Sequence, residues 1–150
     1  MRIPFAAMCL TVFLGGAFAA DMPDRGKLVG SWQGMSVADS NNGTVWVIED
    51  KGNTLHFTRS EGSRKIEEFE CSASGQECSG RNSGRKTVVS MWFNSGVLVQ
   101  METKGSEVVK RRFAVADQGD SMEIQTVLIT PTGPTETAKF TRLASVVSTR

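Results

Sequence analysis

The chain is poor in histidine: His56 is the only one among 150 residues. A zinc site needs three or four ligands, and a histidine base needs a partner in a cleft. His56 alternates with Leu55 and Phe57, which points it to solvent. No G-x-S-x-G elbow, phosphate loop or dinucleotide fingerprint occurs. The densest acids are Glu67, Glu68 and Glu70, but strand alternation separates Glu67 from the other two. A glycosidase needs two carboxylates facing one another across a cleft, so a solvated strand face is the expectation. No catalytic residue, metal or cofactor is expected, and the protein reads as a non-enzyme.

An excess of charge of one sign is also missing, with 17 Lys and Arg against 16 Asp and Glu. A nucleic-acid binder needs a basic face to neutralise phosphates. The clusters Arg85-Lys86 and Lys110-Arg111-Arg112 are short and balanced elsewhere, so nucleic acid is set aside.

Beyond the first twenty residues there is no long apolar run. Those twenty, "MRIPFAAMCLTVFLGGAFAA", carry one charge (Arg2), an apolar stretch and then Ala17-Phe18-Ala19. That is the layout of a secretory signal peptide with an A-x-A cleavage site. An anchor needs roughly 20 consecutive apolar residues, and this run is broken by Thr11, Gly15 and Gly16. Export to the periplasm or medium is expected, with residues 20–150 as one domain and no membrane span. Removing 19 of 150 residues leaves 131, enough for a single core. Cys9 leaves with the signal peptide. An even pair then remains, Cys71 and Cys78, and in an exported chain it is expected to form a disulfide. Closing so short a loop contributes roughly 2–3 kcal/mol on the chain-entropy model.

No part of the exported chain has a helical period. Turn signals recur instead: "SNNG" (40–43), "DKGN" (50–53), "EGS" (61–63), "SASG" (72–75), "NSG" (94–96), "KGS" (104–106), "DQGD" (117–120) and "PTGP" (131–134). Glycine, Asn and Asp accept the positive φ of tight hairpins. The runs between are rich in Val, Ile, Thr, Phe and Trp. Strands are predicted near 28–36, 44–49, 54–60, 64–71, 86–93, 97–103, 107–115, 121–130 and 135–143. Short connections make neighbours antiparallel. A meander of this length ends as a sandwich or a closed barrel.

"LVGSWQG" (28–34) decides between them. Residues two apart share a strand face, so Gly30 and Gly34 flank Trp32 and give the indole room. In "AKFTRL" (138–143), Ala138, Phe140 and Arg142 share a face. If first and last strands pair, Arg142 reaches across Trp32, a cation–π contact on the order of 1–2 kcal/mol when desolvated. Gly30-Ser31-Trp32 with Arg142 resembles the G-x-W and closing-arginine signature of lipocalin-like (calycin) β-barrels, especially the small exported domains of bacteria. The resemblance implies an all-β protein: a single up-and-down antiparallel barrel of eight or nine strands with no substantial helix after the signal peptide. It also implies a small hydrophobic ligand. The chain departs from typical relatives in two places. Residues 144–150 are too short for a helix after the barrel, and "VADSNNG" (37–43) cannot form the two-helix lid of fatty-acid-binding relatives.

Arginines share faces with apolar residues three times: with Leu55 and Phe57 (Arg59), with Val109, Phe113 and Val115 (Arg111), and with Phe140 (Arg142). A buried guanidinium must pair with an anion or reach water. Arg59 abuts a turn, so its head belongs in solvent. Arg111 is mid-strand and faces inward unless a β-bulge precedes it. Leu suits that face, so Arg111→Leu is expected to leave the fold intact. Trp32, Phe57, Arg111, Phe113, Phe140 and Arg142 are therefore the candidate ligand-binding residues, for an apolar or anionic amphipathic molecule with its tail along the barrel wall. Two alternatives stand beside this. One is protein binding, for example inhibition of an exported protease through residues 20–27. The other is a structural envelope module with a filled barrel. A monomer is expected.

Overall fold

The computed structural model describes residues 23–35 and 43–145. The expected signal peptide and its cleavage site, residues 36–42 (most of the stretch expected to be too short for a lid) and residues 146–150 lie outside these. A short helix, α1 (Pro23–Leu28), leads into β1 (Gly30–Gly34). Nine further strands follow: β2 (Thr44–Asp50), β3 (Leu55–Glu61), β4 (Arg64–Cys71), β5 (Cys78–Asn82), β6 (Arg85–Asn94), β7 (Val97–Lys104), β8 (Glu107–Val115), β9 (Ser121–Thr130) and β10 (Thr135–Arg142). Every neighbour in sequence is a neighbour in the sheet, and β1 pairs with β10 to close the barrel.

The strand count is ten, not eight or nine. The extra strand is β5, "CSGRN", whose small and polar residues carry no strand propensity of their own. It is held by pairing along its whole length with β6 and over three residues with β4. Gly80 makes this possible: a Cβ there would lie 2.8 Å from Thr87 Oγ1 and 3.1 Å from Phe69 Cβ. The disulfide Cys71–Cys78 joins the end of β4 to the start of β5, with Cα atoms 5.6 Å apart. The first strand is also shorter than predicted, because residues 23–28 form α1 and not its leading end. Pro23 suits a first helical turn, and the C-terminal carbonyls of so short a helix need external donors. Trp32 Nε1 supplies one to Leu28 O at 2.9 Å, and Arg142 Nη2 supplies another to Lys27 O.

Closure rests on those two side chains. Trp32 faces Arg142 in the β1–β10 register and Trp46 in the β1–β2 register. It is fully buried, and the Arg142 guanidinium lies 4.2 Å above its ring. Arg142 also donates from Nε to Gly119 O and from Nη1 to Val29 O, both at 2.6 Å. Gly30, at φ 142°, leaves room for this guanidinium, since a Cβ there would run into Arg142 Nη1. The glycine therefore makes space for the arginine over the indole as much as for the indole. Strand alternation does the rest, turning Ile48, Phe57, Phe69, Leu98 and Phe113 into a buried apolar layer. Phe57 stacks on Phe69 at 4.8 Å and meets Phe113 edge-on at 5.5 Å, so aromatic rings from three strands pack together in the barrel interior.

Candidate functional site

One inward step from the aromatic layer, the interior becomes polar. The register explains why. Phe57 pairs with Phe69, so two residues along β3 and β4 Arg59 pairs with Glu67, which in turn faces Asn82 on β5. On the opposite wall Leu98 pairs with Phe113, and the next inward pair is Gln100 with Arg111. That row continues to Thr126 on β9 and Glu136 on β10. Two polar rows thus face each other across the barrel.

They meet at Glu67, whose side chain has no exposed surface. Arg111 Nη1 donates to Glu67 Oε1 at 2.9 Å, and Arg59 Nε donates to Glu67 Oε2 at 3.1 Å. Arg111 Nη1 also reaches Gln100 Oε1 at 3.0 Å and lies 3.8 Å from Glu102 Oε1, which accepts from Asn82 Nδ2 at 2.8 Å. Burial first, then the neighbouring charge of Glu67, raises the pKa of Glu102 above the usual carboxyl range; Arg111 and the Asn82 amide pull it down. Both guanidiniums donate to the same buried carboxylate, Glu67, and Glu102 stands as a second buried carboxyl beside Arg111. Glu61, which accepts from Arg59 Nη1 at 3.2 Å, sits exposed at the rim and is screened by solvent.

Beside this cluster lies a half-enclosed cavity of about 180 Å³. Arg59 and Arg111 form one side of it, with Trp46 between them: the two guanidinium carbons are 5.7 and 5.8 Å from its ring centroid. Ile124, Ala138 and Phe140 form the apolar wall, and Thr44, Thr126 and Glu136 bring oxygens. The short first strand accounts for the opening. β1 ends at Gly34, paired with Phe140, so among the described residues no strand separates Thr44 on β2 from Glu136 and Ala138 on β10. Arg111 Nε and Nη2 and Arg59 Nη2 donate to nothing among the described residues.

Of the six predicted ligand-binding residues, Arg111 and Phe140 line this cavity. Phe57 and Phe113 belong to the aromatic layer that packs against Trp46. Trp32 and Arg142 do not line it; their polar groups are engaged with carbonyls at the closure. A register shift does precede Arg111, at Val108–Val109, yet Arg111 still faces inward with Phe113. Three expectations are corrected. Arg59 does not hold its head in solvent: it turns inward and pairs with Glu67. Glu67 is not on a solvated face, and its alternation with Phe69 and Cys71, visible in "EEFEC", was the signal for its burial. The Arg111 site is not a plain apolar one that Leu would suit, because the guanidinium compensates a buried carboxylate. Sequence reasoning missed Trp46, Gln100, Glu102, Thr126 and Glu136 as parts of the same chamber.

His56 lies outside the barrel wall between two carboxylates, Nδ1 2.8 Å from Glu49 Oε2 and Nε2 3.0 Å from Glu68 Oε1. These contacts, Glu49 foremost, raise its pKa against the opposing effect of partial burial. No group of three or more His, Cys, Asp or Glu among the described residues is placed to hold a metal. No described helix is long and apolar enough to cross a membrane.

No protein-family model and no curated protein sequence matches the chain. Solved structures do match it by shape. A secretory abundant heat soluble protein from Ramazzottius varieornatus superposes with a TM-score of 0.66 at 13% identity, covering 78% of this chain and 96% of that one. Fatty-acid-binding protein 1 of Echinococcus granulosus gives 0.64 at 10% identity, over 79% and 99% of the two chains. Lipid binding protein 8 of Caenorhabditis elegans gives 0.63 at 9%, over 79% and 96%. At these identities the likeness is one of fold, and the fold is a calycin-like closed antiparallel β-barrel.

Proposed function

We propose that the protein is a non-catalytic barrel that binds a small molecule by an anionic group, held by Arg59 and Arg111 beside Trp46. One observation carries this reading: two inward guanidiniums that both donate to Glu67 keep N–H groups uncommitted to any described residue next to a cavity. Charge-assisted hydrogen bonds to such donors are the strong ones. The fatty-acid-binding and lipid-binding proteins that share the fold support ligand binding as a use of this barrel. The volume argues for a short ligand rather than a long-chain one. About 180 Å³ is close to the roughly 150 Å³ that takes up benzene and below the roughly 300 Å³ at which drug-sized sites begin. The aromatic layer blocks a tail from running the length of the barrel. The first twenty residues support action after export, in the periplasm or medium.

The test is a calorimetric titration with hexanoate, hexanamide and palmitate at fixed salt. Hexanoate is expected to bind at least tenfold more tightly than the amide, palmitate no better than hexanoate, and Arg59→Gln to remove the preference. Equal affinity for acid and amide, or binding of neither, would overturn the reading and favour a filled structural barrel. That second reading rests on the Arg59–Glu67–Arg111 cluster, which satisfies much of its own charge. Protease inhibition by a free N-terminal segment has less support. Arg25 in α1 is tied to Asp50 Oδ1 at 2.8 Å and to the carbonyls of Gly52 and Thr54.

A further inference from the structure

The cavity is lined by opposite charges two strands apart, and this narrows its ligand. Arg111, Thr126 and Glu136 follow one another along a single cross-strand row through β8, β9 and β10. All three line the same cavity. Neighbouring strands are about 4.8 Å apart, so two strand spacings separate the backbones of Arg111 and Glu136, and their side chains converge on the space between. The Glu136 carboxylate makes no hydrogen bond or ion pair with any described residue, although Arg59 and Arg111 border the same space. A simple anion on the guanidiniums would meet the like charge of Glu136. A molecule with an ammonium group next to its carboxylate meets complementary charge on both sides. Thr126 and Thr44 add oxygen acceptors on the Glu136 side, and an ammonium group has three donors to give them. Ile124, Ala138 and Phe140 leave an apolar wall for a short side chain.

We infer that the ligand is a small zwitterion of the α-amino-acid kind, its carboxylate on Arg59 and Arg111 and its ammonium on Glu136. This rests on the anionic-ligand reading above and adds the second charge to it. The probes are free leucine, isocaproate, which lacks only the amino group, and isoamylamine, which lacks only the carboxylate. Each is titrated into wild type and Glu136→Gln. The Glu136 side chain is exposed and bonded to no described residue, so this substitution leaves the packing alone. Wild type is expected to bind leucine about two- to fivefold more tightly than isocaproate, as a solvent-accessible ion pair allows, and isoamylamine most weakly. Glu136→Gln is expected to bring leucine down to the level of isocaproate while isocaproate holds or gains. If isocaproate equals or exceeds leucine in wild type, or if Glu136→Gln leaves their ratio unchanged, the zwitterion is wrong and the anionic ligand stands. If none of the three binds, both fail together.

Discussion

Replacing Arg111 with leucine is the perturbation that separates a structural charge cluster from an apolar wall. The guanidinium donates to Glu67, which is wholly buried, and to Gln100, which is equally buried. Leucine replaces only the apolar stem and withdraws both bonds. Breaking a buried ion pair from one side costs about 3–5 kcal/mol, most of it from the stranded charge. Arg59 still holds Glu67 Oε2, so the lower part of that range is expected here, about 3 kcal/mol. If the cost is the stranded carboxylate, removing it as well should recover stability. The double variant Arg111→Leu, Glu67→Gln should then lose clearly less than the sum of the two single losses, with a coupling of about 1–3 kcal/mol for groups in direct contact. Urea unfolding followed by tryptophan fluorescence and by circular dichroism gives all four stabilities. A single-variant loss under about 0.5 kcal/mol, the size usual for a surface site, would refute the burial of this pair. Strict additivity in the cycle would refute the coupling.

Three further outcomes are expected. Trp32→Ala should cost about 3–5 kcal/mol as a buried aromatic truncation, read by the same urea midpoints, and a loss of surface size would undo the account of closure. His56 has a folded pKa raised above its ordinary value of about 6.5. Its contribution to stability should therefore be complete below that pH and fade as pH rises through the folded value, and His56→Gln should flatten the decline above about pH 6.5. If the protein is exported as proposed, intact mass should place its N-terminus at Ala20 and show no alkylatable thiol without reductant. A retained leader or two labelled cysteines would contradict that.

Most of the barrel was legible because hairpin turns and two-residue alternation are local signals. β3, β4 and β6 to β10 could be placed from Gly, Asn and Asp turns and the β-rich runs between them. β5 could not, since "CSGRN" is a strand only by virtue of what pairs with it on both sides. The closure of Trp32 by Arg142 was legible as a short motif at each end of the chain. The polar chamber was only half so. Alternation put Arg111 beside Phe113 and Glu67 beside Phe69, but the partner that makes burial tolerable lies 44 residues away in sequence. Nothing local in "SRKIEEFE" identifies which glutamate has an arginine across the barrel. Arg59 was misjudged for the same reason: proximity to a turn suggested solvent, whereas the register with Glu67 turns it inward.

The central claim is that a small anion sits between Arg59, Arg111 and Trp46, and arginine side-chain NMR tests it most directly. The Nε–H of Arg111 has no partner among the described residues, whereas that of Arg142 is bonded to Gly119 O. Titrating hexanoate into labelled protein should shift the Arg111 Nε–H and the Trp46 indole resonances saturably, with one affinity for both, and leave Arg142 and Trp32 where they are. Unmoved Arg111 and Trp46 resonances at saturating hexanoate, or shifts confined to Arg142 and surface arginines, would contradict the account.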